Sequence, residues 1–423
     1  MTEQPGFDNL PPDIVRGLLS PRISRRAALK AGGIGAVTMA LAACGVSGGG
    51  KKGPTGTAAT KAADSYWSTK KKTGSFSFAN WPLYIDVNPN NKNDHPSIDL
   101  FTKTTGIKVN YSEPIQDDDS YFGKIQPVLA SGQGIGEDVI IITNGIYLDK
   151  MIELGYLIPL DHKRMPNFDK YASPLVKNPS FDPGNTYTMA WQSGMTGIGY
   201  DPKLTGREIT SWQDLMDPKF KGKIGMFADI EDLPNSALLA VGAKPETSTE
   251  QDWRKAGEWL TKQRPLVRKY YQQDYIDPLS KGDIWISLAW SGDIFQANAS
   301  GASLKFVIPK EGALIWTDNM CIPKYSQHPV DAMTWMDFVY QPNVAAMLTE
   351  SINYVTPVPD CKAVIESDAA KAKGADKATL QGIATSPLVF PSPADYTKLH
   401  RYRVLTAAEE TVWDSIFEPV YQS

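Results

Sequence analysis

Three cysteines and four histidines in 423 residues leave this chain short of the side chains that most often bind metals or activate nucleophiles. The histidines (His95, His162, His328 and His400) stand far apart, H-E-x-x-H does not occur, and the one G-x-S-x-G match, Gly45 to Gly49, falls in a Gly/Ser-rich stretch rather than between a strand and a helix. Cys44, Cys321 and Cys361 show no metal-ligand spacing. A Cys321 nucleophile would need a base, and no histidine sits on a neighbouring motif. Basic surplus is lacking too: 43 Lys and Arg face 47 Asp and Glu, for a net charge of −4. That balance speaks against nucleic acid, which demands clustered positive surface, and is compatible with a cationic ligand. There is no internal repeat. The one apolar run, Ile34 to Ala43, is about half the ~20 residues that cross a bilayer. Together these gaps lead us to expect no enzyme, no metal and no cofactor, although a glycosidase-like carboxylate pair stays compatible with the sequence.

What is there begins with an export address. Ser24 to Lys30 reads S-R-R-A-A-L-K and runs through the apolar segment into L-A-A-C ending at Cys44. Paired arginines, an apolar core and small residues before a cysteine make up a twin-arginine lipoprotein signal over residues 1–43, with lipidation at Cys44. Residues 1–43 carry two net positive charges, so the remainder stands at −6. Residues 44–74 are rich in Gly, Ser, Thr, Ala and Lys and read as a flexible tether. The protein is thus expected outside the cytoplasmic membrane, lipid-anchored and monomeric. Cys321 and Cys361 could pair in an oxidising exterior or remain two buried thiols, and the sequence leaves both open.

About 350 residues follow the tether, more than one hydrophobic core usually covers. Short apolar strands alternate with amphipathic helices from Ser75 onward, which predicts an α/β fold in two lobes. Expected strands include SFSFAN, IKVNYS, EDVIIIT, TYTMAWQSGMTGIGY, KIGMF, DIWISLAW, LKFVIP and ALIWTDNMCIP. Expected helices include 97–105, SYFGKIQPVLASG, IYLDKMIELG, 234–241, 253–270 and the single stretch 330–350. Lobe 1 is predicted over 75–190 and 318–360, and lobe 2 over 191–317 and 361–423. Ligands of such sheets lie beyond the carboxyl ends of strands. Trp81, Trp191, Trp290 and Trp316 sit at such ends, accompanied by Asp86, Asp229, Asp232, Asp293 and Asp318. Any one of them has an ordinary reading as core or helix cap. Their repeated pairing describes an alkylammonium site, with aromatic faces over a hydrocarbon chain and a carboxylate at each amine.

At this point the chain resembles the spermidine/putrescine-binding lipoproteins of ABC importers, which are clamshells with crossover hinge strands (type II periplasmic binding proteins). The resemblance runs from about Phe76 to Tyr402. It rests on F-x-N-W-x-x-Y (Phe78 to Tyr84), FTKTTGIKVNYS, Y-x-D-K-M-x-x-x-G (Tyr147 to Gly155), SWQDLMDPKFKGKI, AWSGDIF, EGALIWTDNMCIP and INYVTP, in that order. It implies a polyamine, putrescine or spermidine, captured between two lobes and delivered to a membrane permease. Trp81 and Tyr84 correspond to first-lobe aromatics of the family site, and Trp290 and Trp316 to those that sandwich the methylene chain. Asp318 matches the acid that holds an amine, and Asp229 and Asp232 fall on the two second-lobe acids. Tyr402 falls near a family glutamine. Leu83 replaces an acid, and Asn144, Gly145 and Ile146 replace hydroxyl and tyrosine residues. Asp86 or Asp117 to Asp119 could restore a first-lobe charge, the triple-aspartate run reading otherwise as a solvated loop. Ferric-iron carriers of similar architecture use adjacent tyrosines. Tyr270 and Tyr271 are such a pair, read here as packing at a helix end.

Overall fold

The computed structural model of the chain describes residues 64–88 and 90–422; the signal sequence and Cys44 lie outside them. Strands β1 (Ser75–Ala79), β2 (Lys108–Ser112) and β3 (Val139–Thr143) form a parallel group. Helices of eight residues or more connect them: α1 (Pro96–Thr105), α2 (Asp118–Ala130) and then α3 (Ile146–Glu153). Gly106 ends α1 in the left-handed conformation that a side chain resists. A second parallel group, β5 (Ile224–Phe227), β6 (Val267–Tyr271) and β7 (Ile286–Trp290), carries α4 (Asp232–Ala240), α5 (Glu250–Gln263) and α6 (Ser291–Ala299).

Two long strands join the groups. β4 (Thr188–Tyr200) and β9 (Ala313–Cys321) are buried along their whole length and run antiparallel through the middle of one sheet, ordered β2-β1-β3-β9-β4-β7-β5-β6, with the short β8 (Lys305–Val307) paired to β4 and β10 (Leu399–His400) to β9. β3 pairs with the far end of β9, whereas β7 pairs with the far end of β4, so each lobe owns half of each crossover strand. A bulge between Ala190 and Gln192 inserts Trp191. The remaining long helices are α7 (Pro329–Phe338), α8 (Pro342–Ile352), α9 (Cys361–Lys371), α10 (Gly374–Thr385) and α11 (Ala407–Gln422).

The cores follow this division. Phe76, Phe78, Phe101, Trp335 and Met333 fill one face of the first lobe, and Ile140, Ile142, Ile125 and Leu148 the other. Ile224, Leu238, Trp253, Leu260 and Phe417 fill the second. Of the stretch 361–423 expected in lobe 2, Cys361, Ile365, Ile383 and Val389 are buried in the first core, and Trp413, Phe417 and Val420 in the second.

Several elements differ from expectation for clear reasons. The helix predicted over 253–270 stops at Gln263, because Pro265 follows and the aromatic run Val267–Tyr271 pairs with β5 as a strand. The stretch 330–350 is two helices, since Pro342 opens a new one. The tether is ordered at its end: Trp67 is buried in the first core and its Nε1 donates to the Pro159 carbonyl at 2.8 Å. Asp117 to Asp119 do not form a solvated loop. Asp117 accepts from the Ser120 N–H at 2.7 Å, and Asp118 and Asp119 begin α2. Cys321 and Cys361 are free, buried thiols that belong to clusters on opposite faces of the first lobe.

Candidate functional site

Asp318 lies on β9 where the first lobe meets the second. Strand register places it between Thr143 on β3 and Gln192 on β4. Its Oδ1 accepts from the Thr143 hydroxyl at 2.7 Å and its Oδ2 from the Tyr84 hydroxyl at 2.6 Å. Tyr84 is fixed in turn, because its carbonyl accepts from Asn80 Nδ2 at 2.9 Å and from the bulged Trp191 at 3.1 Å. Trp191 therefore braces the site. Burial raises the Asp318 carboxyl to about 6, against the pull of its two hydroxyl donors, and repulsion from Asp232 adds to the rise.

The second lobe contributes a turn after β5. Asp229 Oδ1 accepts from the N–H groups of Glu231, Asp232 and Leu233 at 2.8, 2.5 and 3.4 Å, so it holds the start of α4. Its Oδ2 is buried without a partner, and burial with Asp232 repulsion lifts the group to about 7. Asp232 accepts only from side chains, Trp290 Nε1 at 2.7 Å and the Tyr402 hydroxyl at 2.7 Å. Burial raises it despite these donors.

An aromatic wall spans the two acids. Trp316 Nε1 donates to Thr196 Oγ1 at 3.0 Å, and its ring centroid lies 6.5 Å from Trp290 and 5.6 Å from Tyr354. Gly194 makes room, since a Cβ there would fall 2.3 Å from the Trp316 ring. Tyr354 meets Tyr84 edge to face at 5.7 Å and donates to Asp293 at 2.9 Å. Trp81, partly exposed, packs on the first lobe with Nε1 3.3 Å from the Ile141 carbonyl. Asp86 is spent on α1, accepting from the Ser97 N–H at 2.7 Å and from the Ser97 hydroxyl. Leu83 sits in a left-handed conformation at φ 61°.

The lobes touch across this cleft. Glu231 accepts from the Ile146 N–H at the start of α3 at 2.6 Å, and a Cβ on Gly145 would lie 1.8 Å from that carboxylate. Gln273 Nε2 donates to the Gln116 carbonyl at 2.6 Å, and Lys150 pairs with Glu410. Asp118 brings a further first-lobe acid to the cleft, with one oxygen buried and unpartnered. Burial first, and Asp318 second, push it well above the carboxylate range. Glu231 is raised likewise, by burial and then by Asp118. Among the described residues, none of Asp118, Asp229, Glu231, Asp232 or Asp318 takes part in an ion pair.

The structure thus brings together Tyr84, Asp232, Trp290, Trp316 and Asp318 and gives Asp229 a helix end to hold. Thr143, Gln192, Glu231 and Tyr354 carried no sequence signal of their own. Tyr270 and Tyr271 are neighbours on β6, so their side chains leave opposite faces of the sheet and cannot grip one ion.

A family model described as bacterial extracellular solute-binding protein matches residues 137–378. The chain belongs to that family. A spermidine/putrescine-binding periplasmic protein of Haemophilus influenzae is 30% identical over 328 residues, covering 77% of this chain and 84% of that protein. The putrescine-binding periplasmic protein SpuD of Pseudomonas aeruginosa is 28% identical over 347 residues, or 78% and 86%. The solved structure of a Listeria monocytogenes spermidine/putrescine transporter protein superposes with a TM-score of 0.69 at 24% identity, covering 82% and 99%, and shows the two-lobe fold. Among the described residues no helix is long and apolar enough to cross a membrane.

Proposed function

We propose that this solute-binding protein captures a polyamine between its lobes and delivers it to an ABC permease, tethered outside the cytoplasmic membrane by lipid on Cys44. The observation that carries the reading is the set of carboxylates at the cleft, Asp232 and Asp318 buried and Asp118, Asp229 and Glu231 half-buried, all raised by desolvation and several by one another, with no cationic partner among the described residues. Charges so placed repel and are poorly solvated, and a ligand bearing ammonium groups relieves both costs. Asp318 and Asp232 take the two amine ends. Tyr84, Trp290 and Trp316, with Trp81 at the rim, cover the methylenes between them, while Asp229 shapes the turn that presents Asp232. The relatives' names support the same ligand class. Each lobe keeps its own half of the site: lobe 1 comprises 75–190, 318–360 and the packed helices to 390, and lobe 2 comprises 191–317 and 391–423. The chain acts as a monomer, binding without catalysis.

Calorimetric titration of the full-length protein with putrescine, spermidine, spermine and Fe(III) in one buffer tests this. Micromolar or tighter binding of a polyamine, a scale of roughly 8 kcal/mol, is the expected result. Binding of iron with silence toward every amine would overturn it.

A further inference from the structure

Gln192 is 2% exposed, yet its Oε1 accepts no hydrogen bond. A buried amide oxygen without a donor calls for an explanation, because native interiors satisfy nearly all such atoms. Its place in the sheet supplies one. Strands β3, β9 and β4 put Thr143, Asp318 and Gln192 in one row across the site, and residues opposite each other in antiparallel strands share a face. The Thr143 to Asp318 bond shows that sharing directly. The next row confirms it on the other face, where Ser193 and Thr317 meet hydroxyl to hydroxyl at 2.9 Å. Two residues along the Gln192 face comes Gly194, over which the Trp316 ring lies. The unpartnered oxygen therefore flanks both the amine-binding carboxylate and the aromatic wall. Trp335 Nε1, another unpartnered buried atom, belongs instead to the first-lobe core.

We infer that Gln192 completes the subsite at Asp318, with Oε1 accepting an N–H of a primary ammonium group. The inference rests on the polyamine reading and specifies which end group that subsite takes. Both oxygens of Asp318 already accept one protein hydroxyl each. An ammonium terminus carries three N–H donors, so one carboxylate with its lone pairs partly used leaves at least one donor for a neighbour. A neutral amide suits that place, since it adds an acceptor without adding to the repulsion among the acids. A terminus that has lost its N–H groups, such as trimethylammonium, would leave Oε1 orphaned.

The test is calorimetry of the full-length protein with putrescine, comparing wild type, Gln192→Met, Gln192→Glu and Asp318→Asn, each with a melting curve. Gln192→Met removes the acceptor at similar volume and is expected to bind about fivefold to twentyfold more weakly, the loss of one charge-assisted hydrogen bond. Its ligand-free melting temperature should not fall, because no bond in the free protein is lost. Gln192→Glu keeps an acceptor, and the ammonium offsets the repulsion that the new charge adds in the free protein, so affinity should stay within about threefold of wild type while the ligand-free melting temperature falls. Gln192→Ser, too short to reach, replaces the methionine variant if that fails to fold. Wild-type affinity in Gln192→Met while Asp318→Asn is weakened would overturn the inference and leave the polyamine reading standing. Equal weakening of the Met and Glu variants would also overturn it. Silence of the wild type toward putrescine and every other amine would remove the polyamine reading itself.

Discussion

The two ends of the cleft solve one problem with different parts. At the first-lobe end Asp318 sits on a crossover strand and accepts from two hydroxyls, Tyr84 and Thr143, both of the first lobe. At the second-lobe end Asp232 opens a helix and accepts from an indole and a phenol, Trp290 and Tyr402. Each carboxylate is thus oriented within its own lobe by neutral donors. Neither carboxylate has a charge partner among the described residues, so each is an open place for a cation.

That comparison can be broken from either end. Asp318→Asn and Asp232→Asn should each weaken putrescine at least tenfold, about 1.4 kcal/mol or more for a charge-assisted bond. A loss confined to one of them would show that only one end grips an amine. Trp316→Ala should weaken binding about tenfold, because the ring covers the chain between both ends. A melting curve must accompany it, since the tryptophan also packs on Tyr354 and above Gly194.

A smaller effect sharpens the role of closure. Gly145→Ala places a methyl against the Glu231 carboxylate in a backbone region with φ 142° that only glycine favours. Affinity should fall about threefold to tenfold, since closure must distort a contact of order 1 kcal/mol. Small-angle scattering with saturating ligand should show a less compact particle than wild type. Asp229→Asn should change affinity least and should not lower stability at neutral pH, since the amide keeps an acceptor for the three N–H groups and removes a charge repelled by Asp232. A tenfold affinity loss there would make Asp229 a direct ligand.

Proton balance adds a further check. Asp318 and Asp229 titrate higher in the folded protein, at about 6 and about 7, than in an unfolded chain. The folded state therefore holds more protons between about pH 4 and pH 7, and ligand-free stability falls as pH rises through that window. Asp318 contributes up to about 3 kcal/mol of this decline and Asp229 up to about 4 kcal/mol. Saturating polyamine should flatten it, and a melting temperature that climbs from pH 5 to pH 7 without ligand would contradict the assignment.

Much of this was legible in the chain. Glycines after apolar runs mark helix ends, and the acids and tryptophans at strand ends foretell the cleft, because a strand's carboxyl end is a local property of its sequence. What escaped depends on register. Nothing in W-Q-S-G announces a bulge at Trp191, yet that bulge decides that Gln192 stands beside Asp318. Two aspartates three residues apart look alike until backbone N–H groups claim one of them. The pattern carries α5 past Gln263 because a basic amphipathic run spans the stop at Pro265 and a strand that β5 recruits.

Partly protonated acids at the cleft should ionise when a cationic ligand arrives. Titrating putrescine into the protein at pH 6.5 in two buffers of different ionisation enthalpy measures it directly. Proton release on binding is the expected result, about half a proton or more from groups near 6 and 7. Binding with identical apparent enthalpy in both buffers, and so with no proton released, would contradict it.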